Sequence, residues 1–463
     1  MTDQKTFLGT EPVGKLLARL ALPTVAAQLI NMLYNIVDRI YIGHIPGEGA
    51  LALTGVGVCM PIILIVSAFA SLVGYGGSPR ASIFMGKNDT ETAEKILGNS
   101  FSLLTILSIC LTAVLLLWNE PLLLTFGASE NTIGYATSYM NIYALGTIFV
   151  QLTLGMNSFI TAQGFAKTGM LSVLIGAVLN IILDPILIFG AGMGVKGAAL
   201  ATIISQCASC IWVLSFLFGK KTILKIRKNY LKLEPSVILP CVALGLATFI
   251  MQASESIISV CFNSSLLTYG GDIAVGAMTI LSSVMQFAML PLQGLGQGAQ
   301  PIISYNYGAG NVKRVRSAFF LLLKCSMAYA VLLWGAVMLV PELFASIFTA
   351  DAALVAFSKT ALRIYMAALF LFGIQMACQM TFTSLGNAKA SIAVAVVRKF
   401  ILLIPLIYAM PRIFHSSSLM STYAIYMAEP IADTLAVTFT GILFFFQFRK
   451  IVKRMETSFN KTS

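Results

Sequence analysis

The second half of this chain repeats the first half at a constant offset along the sequence. A set of small residues in the first half has a copy in the second: Gly74, Gly76, Pro79, Ser82 and Gly86 recur as Gly296, Gly298, Pro301, Ser304 and Gly308. The register then holds without a gap, so that Gly164, Ala166 and Lys167 recur as Gly386, Ala388 and Lys389. Self-similarity of this kind predicts two units of the same architecture.

The composition places both units in a membrane. Hydrophobic residues make up 58% of the 463 residues and charged residues only 10%, and the mean hydropathy is +0.87. Soluble globular proteins carry about 25% charged residues, so that class is excluded. Apolar segments of about 20 residues or more, long enough to cross a bilayer as helices, recur along the chain. We predict an all-α polytopic membrane protein.

Twelve transmembrane helices are predicted, six in each half. They cover approximately residues 16–42, 51–75, 93–117, 133–161, 168–189, 198–218, 237–268, 273–297, 315–340, 354–383, 391–410 and 419–448. Because six is an even number, both halves enter the membrane from the same side and form parallel repeats, an arrangement known from secondary transporters. We predict two six-helix lobes around a central cleft: an N-lobe (1–218), a basic cytoplasmic connector (219–235), a C-lobe (236–448) and a basic cytoplasmic tail (449–463).

The basic residues predict the orientation. With both termini in the cytoplasm, 24 of the 30 Lys and Arg residues, including Arg398, Lys399 and Lys461, fall at or toward cytoplasmic ends. The positive-inside rule favours this orientation. The net charge of +12 is therefore assigned to topology and anionic lipid rather than to a nucleic-acid partner. The first span is too long for a cleavable signal peptide, and we expect it to be retained in a multi-pass protein of the cell membrane.

Enzyme and cofactor motifs are either missing or better explained by packing. Gly192, Gly194 and Gly197 match GxGxxG, but they lie in a predicted outer turn with no strand before them. Cys207 and Cys210 form CxxC inside an apolar span, where small packing residues are expected rather than metal or redox chemistry. The sequence has no P-loop, zinc spacing or nucleophile elbow. We therefore predict a protein that is not an enzyme and holds no cofactor.

Polar side chains within the predicted spans carry the functional argument. In the first span, Gln28, Asn31, Asn35 and Asp38 are spaced i, i+3, i+7 and i+10, which puts them on one helical face. Such a face is expected to point away from lipid.

Two further spans carry polar pairs. Asn180 and Asp184 are one helical turn apart in the fifth span, and Pro185 follows them and predicts a kink. Thr202 and Gln206 are one turn apart in the sixth span. These pairs lie near the predicted outer ends of their spans.

The depths of these groups predict that they meet. At about 1.5 Å per residue from the predicted outer ends, Asp38 and Asp184 both lie about 7.5 Å deep and Thr202 about 9 Å. Two carboxylates, an amide and a hydroxyl offer oxygen ligands for a sodium ion, or a site where one carboxylate keeps a proton because its neighbour is charged. The alternative is that they only hydrogen-bond helices together. Ionisable groups at this depth are by default functional.

The second half has its own polar residues but no copy of these acids. Glu255 lies in the seventh span, and Glu429 and Asp433 lie one turn apart in the twelfth. The repeat offset leads from the two acids of the first half to Val260 and Leu406. The lobes are therefore predicted to share a scaffold and to differ in chemistry.

Aromatic and methionine side chains are candidates for a pliable apolar substrate cavity. Polyspecific binding sites favour such side chains because they adapt to ligands of different shape. The candidates are Tyr143, Phe149, Met285, Met289 and Tyr365. Ordinary packing within the membrane is the alternative for each of them.

As a set, several of these features resemble the multidrug and toxic compound extrusion (MATE) family, on its prokaryotic DinF-like side. The resemblance covers nearly the whole chain and is carried by Pro23, Asp38, the repeated element that ends in Gly86 and Gly308, Asn180, the Asp184–Pro185 pair, and the stretch GVKGAALAT from Gly194 to Thr202. It implies two lobes around a central cleft and export of drug-like, often cationic compounds, and so antibiotic resistance, in exchange for protons or sodium ions.

The resemblance also implies roles for individual residues. Asp38, Asn180, Asp184 and Thr202 match the N-lobe cation or proton site of the family, and Pro23 matches the bend in its first helix. Pro185 is a second expected bend, and Asn31, Asn35 and Gln206 are expected to support the site. Glu255 resembles an acid of another branch, but the tenth-span acid that accompanies it there is missing, so a second cation site is left open.

We interpret the chain as a secondary active antiporter that works by alternating access, with small drug-like molecules and the bilayer as partners and a monomeric state. The alternative is a flippase for lipid-linked sugars or other amphiphiles. A flippase of this kind needs a cationic cavity, but Lys and Arg are scarce within the spans. The main exceptions are Lys324 and the Arg398–Lys399 pair. A membrane-embedded transferase would need catalytic groups in a long loop. A channel would lack uphill transport. The choice between H⁺ and Na⁺ stays open.

Overall fold

The computed structural model describes residues 3–415 and 417–459, so Lys461 and the end of the predicted tail lie outside it. Regular structure in this part of the chain is entirely helical. The helices of the first half and the connector are α1 (Asp3–Thr10), α2 (Val13–Gly43), α3 (Gly49–Gly86), α4 (Thr90–Leu117), α5 (Asn119–Thr125), α6 (Ile133–Leu145), α7 (Thr147–Ala162), α8 (Ala166–Pro185), a π-helical segment (Ile186–Gly190), α9 (Val195–Phe218) and a 3₁₀ turn (Lys228–Tyr230).

The second half begins with the longest helix. Its elements are α10 (Pro235–Gly308), α11 (Val312–Leu339), α12 (Pro341–Ser346), α13 (Ala352–Tyr365), a 3₁₀ turn (Leu369–Leu371), α14 (Phe372–Ser384), α15 (Ala388–Val396), a π-helical segment (Val397–Leu403), α16 (Ile404–Ile413) and α17 (Ser418–Phe459).

Many of these helices can cross a membrane. In the described residues nine are long and apolar enough, or up to eleven when α6 with α7 and α13 with 369–384 each count as one bent span. A continuous α10 of 74 residues would be about 110 Å long, far more than a hydrocarbon core of about 30 Å. Its helical geometry is interrupted at Gly271, with φ 66° and ψ −161°. Division of α10 there agrees with the predicted boundary between the seventh and eighth spans, and the total of twelve stays a prediction.

The sequence repeat is matched by repeated local structure. The bend of 58° between α6 and α7 lies at Gly146, and the bend of 42° between α13 and the 369–384 helix surrounds Ala368, the repeat counterpart of Gly146. Ser82 Oγ donates to the Ala162 carbonyl at 2.8 Å, and its copy Ser304 makes the equivalent bond over the same distance. Equivalent positions of the repeat therefore give equivalent bends and cross-links.

The repeated glycines let the two halves approach each other. A Cβ added to Gly86 would lie 2.0 Å from the Tyr305 carbonyl oxygen, and one added to Gly308 would lie 1.9 Å from the Ile83 carbonyl oxygen. These are backbone atoms that a side chain cannot displace cheaply. Glycine is needed at both positions because it lets α3 and the end of α10 pack backbone to backbone.

The halves share an apolar core at one end and have separate cores at the other. One cluster of buried residues includes Leu20 and Phe159 from the first half and Ile303 and Phe382 from the second. A second cluster contains only residues of the second half, and a third only residues of the first. The lobes therefore converge at the end that carries Gly86 and diverge at the other.

Hydrogen bonds join the halves where the core is shared. Thr24 Oγ1 donates to the Gly294 carbonyl at 2.6 Å, and Asn306 Nδ2 donates to the Leu8 carbonyl at 2.9 Å. Gln297 Nε2 donates to the Tyr75 hydroxyl at 2.8 Å. In the predicted topology this is the cytoplasmic end, and the cleft between the lobes then faces outward.

The two predicted helix bends differ in structure. Pro23 lies inside α2, which continues from Val13 to Gly43 around it. Pro185 is the last residue of α8, and the chain continues directly into the π-helical segment Ile186–Gly190. Proline has no amide hydrogen to donate within a helix, which accounts for the change of helix type there.

Candidate functional site

Three helices of the first half bring the predicted polar cluster together. Asp38 of α2 is 5% exposed, Asp184 at the end of α8 is fully buried, and Thr202 of α9 is half-buried. Asn180, one turn before Asp184, donates from Nδ2 to Asp184 Oδ1 at 3.4 Å and to Thr202 Oγ1 at 3.5 Å. The side chains of Asp38 and Asp184 lie within hydrogen-bonding reach of each other. We call these four residues the N-lobe cluster.

The N-lobe cluster contains acceptor oxygens that accept no hydrogen bond from the described residues. Asp38 Oδ1, Asp184 Oδ2 and Asn180 Oδ1 are buried and have no hydrogen-bond partner in the part of the chain that the structure describes. Unpaired buried acceptors are costly, and two adjacent carboxylates repel each other when both are ionised. A bound cation would relieve both penalties. The donor set fits a proton shared between carboxyl groups, and it also fits a small hard cation with oxygen ligands.

Two tyrosines that the sequence analysis missed lie beside the N-lobe cluster. The Tyr139 hydroxyl of α6 lies near Thr202 and Asp38. The Tyr34 hydroxyl of α2 lies near Asn35, Gln206 and Asp38. Helical spacing could have found Tyr34, since it precedes Asp38 by one turn. Tyr139 lies on a helix without an acid or a base, and its polar neighbours Ser138 and Asn141 gave no spacing that would indicate its role.

The four predicted supporting residues do not form one group. Asn35 Nδ2 donates to the backbone carbonyl of Asn31 at 2.7 Å, and the side chain of Asn31 is exposed. Gln206 Oε1 is buried without a partner among the described residues and lies close to Tyr34. Glu255 is in the other lobe and takes no part in the N-lobe cluster.

The second lobe contains a buried cluster of ion pairs. Lys399 Nζ lies 2.6 Å from Glu255 Oε1, Arg398 Nε lies 2.9 Å from Asp433 Oδ1, and Arg398 Nη2 lies 3.6 Å from Glu429 Oε1. The Arg398 guanidinium also lies 4.7 Å from the centre of a phenylalanine ring on α14. We call these five charged residues the C-lobe cluster.

The C-lobe cluster shows how two basic side chains are accommodated within a predicted span. The assignment of Arg398 and Lys399 toward the cytoplasmic end of that span stays a prediction. They are buried in the π-helical segment Val397–Leu403, about 15 Å along the 26-residue helical stretch Ala388–Ile413. Burial of both is possible because each has a carboxylate partner from the seventh or the twelfth predicted span.

The predicted cavity residues lie in or against the separate cores. Tyr143 and Tyr365 are buried in the core of the first and of the second half. Met285 and Met289 are partly buried against the core of the second half, and Phe149 is partly buried against the shared core. Two cavities, of about 830 and 370 Å³, are lined by other residues. The role of these five residues in substrate binding stays a prediction.

Comparison with models of protein-family sequences identifies the family. The family model described as MatE matches residues 23–186 and matches again at residues 246–409. The chain belongs to the MATE family. This is a family of membrane transporters, and its model matches each half of the chain once.

Curated relatives span nearly the whole chain. It is 24% identical over 440 residues to the multidrug export protein MepA of Staphylococcus haemolyticus strain JCSC1435, covering 94% of this chain and 95% of that protein. It is 25% identical over 443 residues to MepA of Staphylococcus aureus strain NCTC 8325, covering 95% and 96%.

Solved MATE structures share the fold. A crystal structure of MATE in the bent conformation superposes with a TM-score of 0.90 at 23% identity, covering 98% of this chain and 100% of the other. An outward-facing MATE transporter of the MOP superfamily gives a TM-score of 0.89 at 24% identity, covering 98% and 99%. The prediction of an all-helical polytopic fold with two lobes is confirmed.

Proposed function

We propose that this MATE protein exports drug-like, often cationic compounds across the cell membrane in exchange for H⁺ or Na⁺. Curated relatives over nearly its whole length are multidrug export proteins. The observation that carries the exchange is the N-lobe cluster, in which two buried carboxyl groups in contact retain unpaired oxygens.

In this proposal, Asp38 and Asp184 are the cation-binding groups. Asn180 positions the Asp184 carboxylate through its amide, and Thr202 supplies a hydroxyl oxygen. Without a cation the carboxylates repel each other, and with one they are held together. Helices α2, α8 and α9 therefore prefer different packings in the two states, and the cation shifts their relative populations.

Coupling to the drug follows from linkage between two binding events. If the cation favours the packing in which drug is released, the drug disfavours cation binding by the same free energy. The lobes pivot about the shared core, while their separate cores keep each lobe intact. Ion and drug then exchange without a continuous open path.

We keep the predicted organisation as part of the proposal: an N-lobe (1–218), a cytoplasmic connector (219–235), a C-lobe (236–448), a cytoplasmic tail, both termini inside, and a monomer. The connector contacts the N-lobe, which supports this boundary. Gln163 Oε1 accepts hydrogen bonds from the amides of Ile223 and Leu224 at 2.8 Å, and Arg227 pairs with Glu94.

A flippase for lipid-linked sugars is less well supported. It would use mid-span basic residues to bind a phosphorylated head group. Arg398 and Lys399 are instead buried and paired with acids of the C-lobe cluster.

The proposal is tested by replacing Asp38 with asparagine. Vesicles containing purified protein are given a proton or a sodium gradient, and the uptake of a fluorescent cationic drug is measured. We expect Asp38→Asn to bring uptake down to the rate without a gradient while drug binding in detergent is kept. The control is Asp272→Asn, the same change at an exposed position beside the interruption of α10 at Gly271. Gradient-driven uptake at the wild-type rate in Asp38→Asn would contradict the coupling role.

A further inference from the structure

A cavity of about 830 Å³ lies at the divergent end of the N-lobe, apart from the C-lobe. Three chain segments line it: the turn 45–48, the start of α6 at 134–138, and the stretch 188–196 between α8 and α9. Charged residues at its rim are Glu48 and Lys196, and both are exposed. We call this cavity the N-lobe vestibule.

Two of the three walls of the N-lobe vestibule lead to the N-lobe cluster within a short helical distance. Ile188 lines the cavity one turn after Asp184. Tyr135 lines it one turn before Tyr139, whose hydroxyl lies near Thr202. One turn is about 5.4 Å, so both lining residues lie close to the N-lobe cluster.

One wall of the N-lobe vestibule is irregular where it meets the N-lobe cluster. The π-helical segment Ile186–Gly190 follows Asp184–Pro185 directly and contains the lining residue Ile188. Gly192 and Gly194 then take φ values of +64° and +55° in the loop above. This wall is thus formed by a segment whose hydrogen-bonding pattern departs from a regular α-helix, as is frequent at functional sites.

We propose that the N-lobe vestibule is the entry route by which a monovalent cation, H⁺ or Na⁺, reaches Asp38 and Asp184 from the outer side without passing through the central cleft. The inference rests on the proposed function, and it names the path to the same site. The drug would use the cleft between the lobes, and the cation would use the interior of one lobe.

The rim charges make the proposal testable, because they act on a passing cation with opposite sign. Glu48 attracts a cation and Lys196 repels it. A unit charge about 10 Å from the path changes the local cation concentration about twofold in water. Glu48→Gln should therefore raise, and Lys196→Gln should lower, the external cation concentration that gives half-maximal drug transport, each about twofold at low ionic strength.

The experiment measures drug transport in vesicles against external Na⁺, and in a second series against external pH. We expect the half-maximal cation concentration to shift in opposite directions in the two variants. Both shifts should vanish in concentrated inert salt, because salt screens the rim charges. Equal shifts of the same sign, or none for either ion, would overturn the entry route. Loss of ion-driven transport in the wild-type protein would overturn the proposed function and this inference with it.

A second variant closes the cavity without changing its charge. Ser138→Trp places a large side chain in the N-lobe vestibule. We expect it to slow ion-driven transport severalfold while drug binding in detergent is unchanged. The matched control is Thr360→Trp, at the repeat counterpart of Ser138 in the other lobe. A wild-type transport rate in folded Ser138→Trp protein would contradict the route.

Discussion

At the scale of single residues, Lys399 has one ion-pair partner among the described residues, Glu255. Its side chain is 4% exposed, whereas that of Glu255, 2.6 Å away, is 53% exposed. Removing Glu255 leaves the Lys399 ammonium without a hydrogen-bonded counter-charge in a medium that solvates it poorly.

We therefore predict that Glu255→Gln lowers the free energy of unfolding by about 3 kcal/mol. The double variant Glu255→Gln with Lys399→Met should recover most of this loss, because the unpaired charge is gone. Thermal unfolding in detergent measures both, and Glu120→Gln at an exposed position is the control. Equal destabilisation in the single and double variants would show that the ion pair is not the cause.

The two clusters differ in how far the sequence predicted them. Asp38 and Asp184 were predicted to meet because helical spacing and depth can be counted from the sequence. Lys399 and Glu255 are 144 residues apart, and the orientation of Lys399 depends on a π-helical segment. A single extra residue in a helical turn rotates every later side chain, so periodicity could not pair these two charges.

At the scale of helices, the repeat places the same kind of cap at the start of α4 and α11. Asp89 accepts a hydrogen bond from the Thr92 amide at 3.0 Å, and its counterpart Asn311 accepts one from the Arg314 amide at 3.2 Å. Both side chains satisfy an amide that the first helical turn leaves without a partner. Only the aspartate can be protonated.

This difference predicts that acid weakens one cap and spares the other. The hydrogen bonds from Thr92 hold the pKa of Asp89 below its usual range. The stabilisation is therefore complete above the ordinary pKa of about 3.9 and is lost as the pH falls through the lower pKa of the folded state.

The check is amide hydrogen exchange at the first turns of α4 and α11, corrected for the intrinsic effect of pH. Protection of Thr92 should fall below about pH 4, while that of Arg314 stays constant. Asp89→Asn should make the two turns behave alike. A constant protection of Thr92 down to low pH would contradict the prediction.

Helix positions were predicted better than helix shapes. The fourth predicted span, 133–161, is present, but it bends by 58° at Gly146. A Cβ at Gly146 would lie 2.4 Å from Ile203 of α9, so the bend coincides with a close approach between helices. That approach depends on a residue of a distant helix, and the sequence of the span alone contains no proline that would indicate a bend.

At the scale of the whole molecule, the arrangement of cores explains how two lobes can move and still stay joined. The shared core lies at the end with Gly86 and Gly308, and the separate cores lie beyond it. The repeat predicted the two similar lobes. The repeat did not predict the end at which the lobes touch. Both ends of each lobe are formed by similar helices, and only the packing between the lobes distinguishes one end from the other.

The close contact at Gly86 and Gly308 gives a prediction about the position of the lobes. Alanine at either residue would place a Cβ about 2 Å from a backbone oxygen of the other half. Such overpacking typically costs about 1–3 kcal/mol. A cost of this size in one state alone changes a two-state equilibrium by about 5- to 150-fold. Gly86→Ala and Gly308→Ala should therefore shift the protein toward the state in which this end is open.

Distances between spin labels at positions 87 and 313, one on each half, measure that shift. We expect a longer distance to gain population in both variants, with the two effects similar in size because the two contacts are related by the repeat. Gly335→Ala is the matched control, since a Cβ there has no neighbour within 4 Å. A distance distribution that stays as in the wild type, in variants that fold, would mean that the contact between α3 and α10 yields locally and that the lobes do not pivot as units about the shared core.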